Sequence, residues 1–454
     1  MKTGPSELSK ALRGCRSGLL AVAAFSAFIN LLMLVTPLYM LQVYDRVLTS
    51  RSGDTLLALT VLAASLLIVM ALLEAIRSRI LVRVGGSIDV GYSRRILNAL
   101  FRANILSAGR ASSQSIHDFD TVRQFVSGPS LLALLDSPWV PLFLAIIFLL
   151  HPLLGVIATG GAVFILALAL LTEVLTRPAL QQANRGAMKL TQFVDRSLRN
   201  AEVVQGMGMY GNIERRWAAG RDEVLSLQSI ASDRAGVLKG MSKAARLLLQ
   251  VAILGFGAWL AINDRITPGA IIAAAIIMGR ALAPVESAIG SWPQMIAARD
   301  AYARLRALLA EFPDQPPRTS LPPPKGEIVV RDLIAVAPGG KAPIFRQVGF
   351  ALPAGSTLGV VGPSGSGKST LARLLIGAWV PFAGSVRLDN AEIAAWPRGE
   401  LGPHVGYLPQ DVELFDGTVA ENIARFADPN PQAIVRAAQR AGVHEMILRL
   451  PNGY

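Results

Sequence analysis

The chain has 454 residues, of which 52% are hydrophobic and 17% charged, and its mean hydropathy is +0.45. This composition excludes an ordinary soluble protein and predicts that much of the chain lies in a bilayer. A net charge of +13 is compatible with nucleic-acid binding, but no basic run with interleaved aromatic residues occurs. The basic cytoplasmic loops of a membrane protein produce the same net charge. Cys15 is the single cysteine, which excludes an intrachain disulfide and a metal site built on cysteines.

Apolar segments long enough to cross a membrane fill the first two thirds of the chain. Residues 17–44 and 55–73 carry no charged side chain, and 137–172 is a longer uncharged run interrupted by His151-Pro152. A span needs about 20 residues. We therefore predict six spans, near residues 18–44, 54–76, 130–150, 153–175, 246–263 and 266–290. The basic N-terminus resembles that of a signal peptide, but the apolar run after it is too long, so we predict an uncleaved first span.

The loops between these spans differ in length and charge. Segments 77–129 and 177–245 are long and hold most of the basic residues of these loops, whereas the other loops are short. The positive-inside rule places both long loops and both termini in the cytoplasm. Stretches such as VGYSRRILNALFRANIL, residues 90–106, show apolar positions at helical spacing. We therefore predict that the long loops continue the membrane helices into the cytoplasm.

Three acidic or basic residues in or beside the spans are functional candidates, since charges in a membrane are costly. Arg280 and Glu286 are six residues apart, so we expect no pair within one helix. They lie either at a helix end already in water or on a translocation path. Asp136 precedes Ser137-Pro138-Trp139, and tryptophan suits an interface, so we expect the helix to enter the bilayer there. The histidines show no spacing typical of a metal site.

A proline-rich linker, residues 313–326, follows the membrane domain of residues 1–312. Proline at this density forbids helix and favours an extended spacer. From residue 327 to 454 the pattern changes to β-branched runs, EIVV, STLGVV and HVGYLP, which alternate with helical stretches at 368–379 and 431–449. This alternation predicts a cytoplasmic α/β domain.

A phosphate-binding loop of the form G-x-x-x-x-G-K-[ST] lies between STLGVV and the helical KSTLARLLIGAW. The nonapeptide consists of Gly362, Pro363, Ser364, Gly365, Ser366, Gly367, Lys368, Ser369 and Thr370. Glycines let backbone N–H groups surround phosphate oxygens, while Lys368 provides charge for the β- and γ-phosphates of ATP and Ser369 a hydroxyl for Mg²⁺. The alternative, a Gly/Ser-rich turn, does not account for strand, loop, Lys-Ser and helix in this order.

Gln410 is a second candidate for the nucleotide site. It lies in GYLPQDVELFDGTVAENI, directly after a strand-like stretch. An amide there could complete Mg²⁺ coordination and sense the γ-phosphate. A single glutamine taken alone is more typical of a surface, so its role depends on comparison with a family.

Strings along nearly the whole chain resemble the membrane-plus-ATPase subunit of bacterial type I protein secretion systems. These subunits are ABC exporters, and the resemblance is to the PrtD-like branch that exports proteases and lipases. It is carried by TPLYMLQVYDRVLTSRSGDTL, RNAEVVQGMGM, MGRALAPVESAIGSW and GYLPQDVELFDGTVAENIARF. Generic ABC exporters share the phosphate loop but not these strings. The implied fold is a six-helix all-α exporter membrane domain followed by a partial α/β P-loop ATPase domain.

The resemblance implies a homodimer in the bacterial inner membrane that binds ATP and Mg²⁺, with Ser369 and Gln410 as metal ligands. It implies coupling segments around SIHDFDTVRQF and RNAEVVQGMGMYGN that touch the ATPase domains. The expected partners are a periplasmic adaptor, an outer-membrane channel, surrounding lipid and an unfolded secreted protein with a C-terminal signal; nucleic acid is not expected. Because about 17 residues precede the first span, no N-terminal peptidase-like domain is expected.

Two departures from the family pattern matter for the nucleotide site. Where the family has an aromatic residue that stacks on adenine, this chain has Ala337, with Phe345 as a substitute candidate. The sequence also stops at LRLPNGY, where the family continues into its signature, its Walker B strand with the catalytic glutamate, and its switch histidine. We therefore expect a fragment of a longer protein, whose 454 residues hold phosphates but do not hydrolyse ATP alone.

The leading hypothesis is ATP-driven export of unfolded proteins by a type I secretion system. One alternative is an ABC exporter of lipids, peptides or drugs. Another is a non-hydrolysing nucleotide-binding membrane scaffold. A signature motif and a Walker B strand in the downstream sequence would exclude the scaffold.

Overall fold

The computed structural model describes residues 14–106, 114–314, 318–338, 340, 342–410, 412–428 and 430–454. The basic N-terminal segment and residues 315–317 of the predicted linker lie outside the described residues. The described residues divide into two compact units, one ending at Asp314 and one continuing to Tyr454, with Ile105 and Leu106 grouped with the second. Each unit is described by itself.

The first unit is entirely helical, and its elements are numbered here in chain order. They are α1 (Arg16–Leu32), α2 (Val35–Gln42), a π-helical turn (Val43–Val47), α3 (Leu48–Ser50), α4 (Gly53–Leu106), α5 (Gln114–Ser127), α6 (Pro129–Asp136), a 3-10 turn (Ser137–Trp139), α7 (Val140–Leu150), α8 (Pro152–Arg199), α9 (Ala201–Gly206), α10 (Tyr210–Ile262), α11 (Pro268–Gly290) and α12 (Trp292–Glu311). Helices α6, α8 and α11 begin with proline, whose missing N–H costs nothing at a first helical position.

Six helical segments of the described chain are long and apolar enough to span a membrane, which confirms the predicted number. They are Arg16–Ser50, Gly53–Leu106, Pro129–Leu150, Pro152–Arg199, Tyr210–Ile262 and Pro268–Gly290. Helices α4, α8 and α10 contain 54, 48 and 53 residues. Such helices extend about 70–80 Å, more than twice the hydrocarbon thickness of a bilayer. They continue well beyond their apolar segments, as the helical periodicity of the long loops predicts.

Two apolar clusters hold these helices together. The first joins α7, α8, α10 and α11, and includes the fully buried side chains Ile147, Leu154, Ile253 and Met278. Alanine and glycine are frequent on the buried face of α11, and such small residues let membrane helices approach closely. The second cluster joins the extension of α4 to α5 and α12, with Leu305 fully buried at its centre.

Asp45, in the π-helical turn, caps the N-terminus of α11. Its carboxylate accepts hydrogen bonds from the Thr267 hydroxyl at 2.5 Å and from the Gly269 N–H at 2.8 Å. A Cβ atom at Gly269 would lie 2.6 Å from Asp45 Oδ1 and 2.7 Å from the carbonyl oxygen of Leu41. The cap therefore requires glycine at position 269, because the Leu41 oxygen belongs to the backbone and cannot move alone.

We expect Gly269→Ala to lower the thermal stability of the membrane unit, by about 1–3 kcal/mol, since the added methyl group overpacks the cap. Gly279→Ala is the matched control, because a Cβ there meets nothing within 4 Å in the same helix. Replacing an unobstructed helical glycine by alanine stabilises by up to about 1 kcal/mol. The measurement is the unfolding midpoint of both variants in one detergent; equal midpoints would contradict the close packing at the cap.

The second unit is built on a four-stranded antiparallel sheet with the order β2-β1-β3-β4. The strands are β1 (Ile328–Val336), β2 (Pro343–Leu352), β3 (Ala383–Leu388) and β4 (Ala391–Glu392). The helices are α13 (Lys368–Leu375), α14 (Arg398–Leu401), followed by a 3-10 turn (Gly402–His404), α15 (Val419–Ile423), α16 (Pro431–Arg440) and α17 (His444–Leu448). Leu374 of α13 is buried against Val330 and Val386 of the sheet.

Two of the three predicted strands are wrong for this structure. EIVV enters β1, but STLGVV and HVGYLP belong to no strand, and His404 ends a 3-10 turn instead. Val361 is 95% exposed and Leu408 is 82% exposed. The reason is the lack of a neighbour: a strand requires a hydrogen-bonded partner, and no described segment pairs with either stretch.

The predicted helices of this unit are also shorter in the structure. The stretch 368–379 is helical only to Leu375, because Gly377 adopts a left-handed conformation with φ of 68°. The stretch 431–449 divides into α16 and α17 around Gly442, whose φ is 72°. A glycine in this conformation is a common end of a helix.

Asp389 closes the turn at which the chain enters the sheet. Its carboxylate accepts hydrogen bonds from three consecutive backbone N–H groups, those of Lys325, Gly326 and Glu327. Desolvation acts to raise the pKa of Asp389, but these donors and the Lys325 charge outweigh it and hold that pKa below its ordinary value. The carboxylate therefore remains ionised and fixes the start of β1.

Candidate functional site

The phosphate-binding loop has the backbone conformation that its glycines permit. Gly365 and Gly367 lie in the left-handed region, with φ of 82° and 96°. A Cβ atom at Gly367 would also lie 2.9 Å from the ring of Phe345 and 2.9 Å from Ile344, both in β2. Glycine is therefore needed at position 367 for its backbone conformation and for the close approach of β2.

Helix α13 begins directly at this loop and is anchored by its buried face. Gly367 is its N-terminal capping residue and has no side chain to satisfy the first N–H groups of the helix. Thr370, Leu371 and Leu374 are buried in the core of the unit. The helix thus presents unpaired backbone donors and the positive end of its dipole to the loop, an arrangement suited to phosphate.

Lys368 lies across the mouth of the loop. Its ammonium group donates to the carbonyl oxygens of Gly362 at 2.7 Å and Pro363 at 2.8 Å. An ammonium has three donors, so one N–H is left for a ligand. Ser369 is exposed, and its hydroxyl makes no hydrogen bond to a described residue. Both side chains are therefore available at the loop where the sequence places them.

Gln410 is exposed at a bend, and the described residues include no hydrogen bond between it and the loop. The segment after it is held by Asn422, which accepts from the Phe415 N–H at 2.9 Å and donates to the Phe415 carbonyl at 2.9 Å. Thr418 and Glu421 form a capping box at the start of α15. The structure thus fixes the segment from Phe415 to Asn422 and shows no hydrogen bond from Gln410 to Lys368 or Ser369 among the described residues.

Arg398 caps the C-terminal end of α13, the helix that follows the phosphate loop, and the sequence did not predict this role. It donates to the carbonyl oxygens of Ile376 at 2.8 Å and of Gly377, at the C-terminal end of α13. Burial lowers the pKa of the Arg398 guanidinium, and the nearby Arg318 lowers it further. Gly377 signals the helix end in the sequence, but no local pattern indicates that an arginine 21 residues away caps it.

The residues considered for adenine lie on the two neighbouring strands. Ala337 follows β1, and its carbonyl accepts from Gly340 at 2.8 Å in a turn. Phe345 is half-buried in β2, where its β1 register partner is Ala335. Its ring lies close to Gly367, 2.9 Å from where a Cβ atom of that residue would be. Of the two, only Phe345 offers a ring beside the loop. No cluster of three His, Cys, Asp or Glu side chains that could hold a metal occurs among the described residues.

Two of the three charged residues considered in or beside the spans, Asp136 and Glu286, form interhelical ion pairs. Asp136, at the end of α6, pairs with Arg77 of α4 at 3.0 Å. Glu286 lies 2.9 Å from Arg246 of α10, which agrees with the expectation that it does not pair with Arg280. Arg280 is exposed and has no ion pair within the described part of the chain. Asp136 therefore belongs to a buried pair as well as to a helix end.

Comparison with known proteins places both units in one family. A family model described as "ABC transporter transmembrane region" matches residues 19–283, and one described as "ABC transporter" matches residues 345–453. The "Type I secretion system ATP-binding protein PrsD" of Rhizobium meliloti (strain 1021) is 43% identical over 98% of the chain and 77% of the relative. The chain belongs to the type I secretion branch of the ABC transporters. The predicted family is thereby confirmed.

More distant relatives of this ABC transporter chain carry related names. The "Toxin RTX-I translocation ATP-binding protein" of Actinobacillus pleuropneumoniae is 27% identical over 94% of the chain, which spans 62% of that relative. The "Leukotoxin translocation ATP-binding protein LktB" of Mannheimia haemolytica is 26% identical, and the chain spans 61% of its length. This chain thus covers about three fifths of these two relatives.

A solved structure supports the fold. It is a bacterial Atm1-family ABC exporter with ATP bound, which matches with a TM-score of 0.76 at 20% sequence identity over 98% of this chain and 80% of that chain. At this identity the likeness concerns the fold alone. Together with the six spans it confirms the predicted class, an all-α exporter membrane domain followed by a P-loop ATPase domain, and hence a multi-pass membrane protein that binds ATP.

Proposed function

We propose that the full-length protein uses ATP to export unfolded proteins across the bacterial inner membrane as part of a type I secretion system. The observation that carries the proposal is a formed phosphate loop, with Lys368 across its mouth, in a chain that carries six spans and is 43% identical to a type I secretion ATP-binding protein. The exported protein would be of the protease or lipase type with a C-terminal signal. Residues 1–312 form the membrane domain, 313–326 the linker and 327–454 part of the ATPase domain in this proposal.

Different residues would bind the phosphates, the Mg²⁺ and the adenine of the nucleotide. The free backbone N–H groups of the loop, which exclude position 363 because it is proline, and the remaining donor of Lys368 would bind phosphate oxygens. They would also neutralise the charge that develops during phosphoryl transfer. The Ser369 hydroxyl and the Gln410 amide oxygen are oxygen ligands of the kind that Mg²⁺ prefers. Phe345, rather than Ala337, provides the aromatic face for adenine.

Nucleotide-driven motion would reach the spans through the end of α12, where the chain leaves the membrane unit. Two arginines of α4 hold this end: Arg95 donates to the Phe312 carbonyl at 2.5 Å, and Arg102 donates to the Pro313 carbonyl at 2.6 Å. Arg304 of α12 forms two hydrogen bonds of 2.7 Å with Asp118 of α5. Hydrogen bonding to Asp118 raises the pKa of Arg304, which reflects the stabilisation of the guanidinium by this carboxylate.

The remaining partners follow from the same proposal. A second copy of the chain would complete the transporter, and the segments around Asp118 and α9 would serve as its coupling segments. A periplasmic adaptor and an outer-membrane channel would continue the path to the exterior. The long helical extensions, which carry most of the basic residues of the membrane domain, would lie in the cytoplasm.

An export assay tests the proposal. We expect cells that contain the full-length protein, its adaptor and its channel to release a protease bearing its C-terminal signal, and to retain the same protease without that signal. ATP-dependent transport of a fluorescent lipid or drug without protease release would instead identify a small-molecule exporter. Nucleotide binding with no transport of any of these would identify a scaffold.

A further inference from the structure

A small cavity lies between α8, α10 and the junction of α11 with α12, and the proposed function gives it no role. Its volume is about 160 Å³. The walls are mostly apolar, and none of the described residues that line it is Asp or Glu. Its polar side chains are those of Thr172 and Thr176 of α8, Ser232 and Lys239 of α10, and Trp292 at the start of α12.

The unsatisfied polar groups of this cavity are donors. The indole N–H of Trp292 is buried and has no acceptor among the described residues. Lys239, at the exposed edge, has no ion pair within the described chain. The buried hydroxyls of Thr172 and Thr176 already donate to the carbonyls of Leu168 and Thr172, at 2.7 Å and 2.6 Å. A buried donor without an acceptor is destabilising, so the cavity is suited to an anion with several acceptor oxygens.

The position of the cavity along the helices indicates the membrane surface. Thr172 ends the uncharged run of α8, and Glu173 and Arg177 follow it. Trp292 follows the last span, and tryptophan and lysine are typical of the interface between membrane and water. The extensions of α8 and α10 continue from this level, on the side that we propose to be cytoplasmic.

We propose that this cavity binds the phosphate group of an anionic phospholipid from the cytoplasmic leaflet. The phosphate would accept from the Trp292 N–H and the Lys239 ammonium, and the apolar walls would contact the adjoining acyl region. A free phosphate ion would gain nothing from those walls, which favours the lipid as the source. Basic cavities between spans on the cytoplasmic side suit such headgroups. The assignment rests on the proposed orientation but not on the identity of the exported substrate.

The test measures phosphatidylglycerol retained by the full-length protein, by native mass spectrometry after extraction from nanodiscs of phosphatidylcholine with phosphatidylglycerol. We expect Lys239→Gln to reduce retention about fivefold, since one basic side chain near the surface contributes that much. The matched control is Lys243→Gln, one turn further along α10 and not part of the cavity wall. Trp292→Phe keeps the ring, removes the donor and should reduce retention about tenfold.

A steric variant separates the cavity from the general surface charge. Gly236 lines the cavity, and a Cβ there meets nothing within 4 Å, so Gly236→Leu should obstruct it without disturbing α10. Gly240→Leu, also unobstructed and outside the wall, should leave retention unchanged.

Three results would overturn the proposal. Equal retention in all variants would exclude the cavity as the lipid site. Displacement of the lipid by inorganic phosphate would assign the cavity to the free ion. A dimer lost only in Lys239→Gln and Gly236→Leu, measured by size exclusion, would show that a second copy fills it. Because retention is measured without transport, failure of the lipid site is distinguishable from failure of the export function.

Discussion

Replacing Lys368 by alanine in the full-length protein should abolish ATP-dependent export while leaving membrane insertion intact. The ammonium that lies across the loop mouth at 2.7 Å and 2.8 Å from two carbonyls is the loop's one cationic side chain. Its loss removes a charge-assisted hydrogen bond to phosphate, worth about 1.5–3 kcal/mol, so nucleotide affinity should fall about 10- to 100-fold. Loss of a preorganised electrostatic donor further lowers the chemical rate by about 10²–10³.

Lys325→Ala is the matched control for this prediction. Lys325 is an exposed lysine of the same unit. Alanine keeps the backbone N–H that donates to Asp389 and removes only the side-chain charge, one of several groups that lower the Asp389 pKa. ATPase rate and export are measured for both variants at equal amounts of inserted protein. Export by the Lys368 variant at the rate of the Lys325 variant would refute the assigned role of Lys368.

The membrane unit was predictable because its determinants are local. A bilayer sets the length of an apolar run, and Pro152 and Pro268 mark helix starts whatever the rest of the chain does. The phosphate loop was predictable for a similar reason, since Gly365 and Gly367 adopt backbone conformations that the glycine spacing anticipates. In both cases a short stretch of sequence carries its own physical constraint.

Strands and long-range contacts were less predictable because they depend on neighbours. STLGVV is rich in β-branched residues, yet it forms no strand in this structure, since no described backbone pairs with it. Arg398 contacts the carbonyls of Ile376 and Gly377 after α13, which are 22 and 21 residues before it in the sequence. Arg77 and Asp136 are 59 residues apart. No periodicity links such residues, so the packing of helices alone brings them together.

Arg77 and Asp136 form an ion pair between two spans. Among the described ion pairs that involve a span, it is the most deeply buried. Its side chains are 4% and 15% exposed. Arg77 also donates to the hydroxyl of Ser26 at 3.0 Å, and Asn30 donates to Asp136 at 3.1 Å. Four polar residues from α1, α4 and α6 thus form hydrogen bonds with one another, although the buried Arg77 Nε has no acceptor among the described residues. A buried charge without its partner is costly in such a surrounding.

Arg77→Met should therefore destabilise the membrane unit by about 3–5 kcal/mol, because Asp136 would remain buried without its counter-ion. The double variant Arg77→Met/Asp136→Leu removes both charges and should recover most of this loss, since apolar residues often replace a buried pair at little cost. The measurement is the free energy of unfolding of each variant in one detergent series.

Arg177→Met is the control for this pair. Arg177 pairs with Glu173 at 3.3 Å, one turn away on α8, where both side chains are more exposed. A helical pair of this kind contributes only about 0.2–0.5 kcal/mol. If Arg77→Met costs no more than Arg177→Met, burial does not strengthen the Arg77 contact. If the double variant costs as much as the sum of the two single variants, Arg77 and Asp136 act independently and the pair is not a unit.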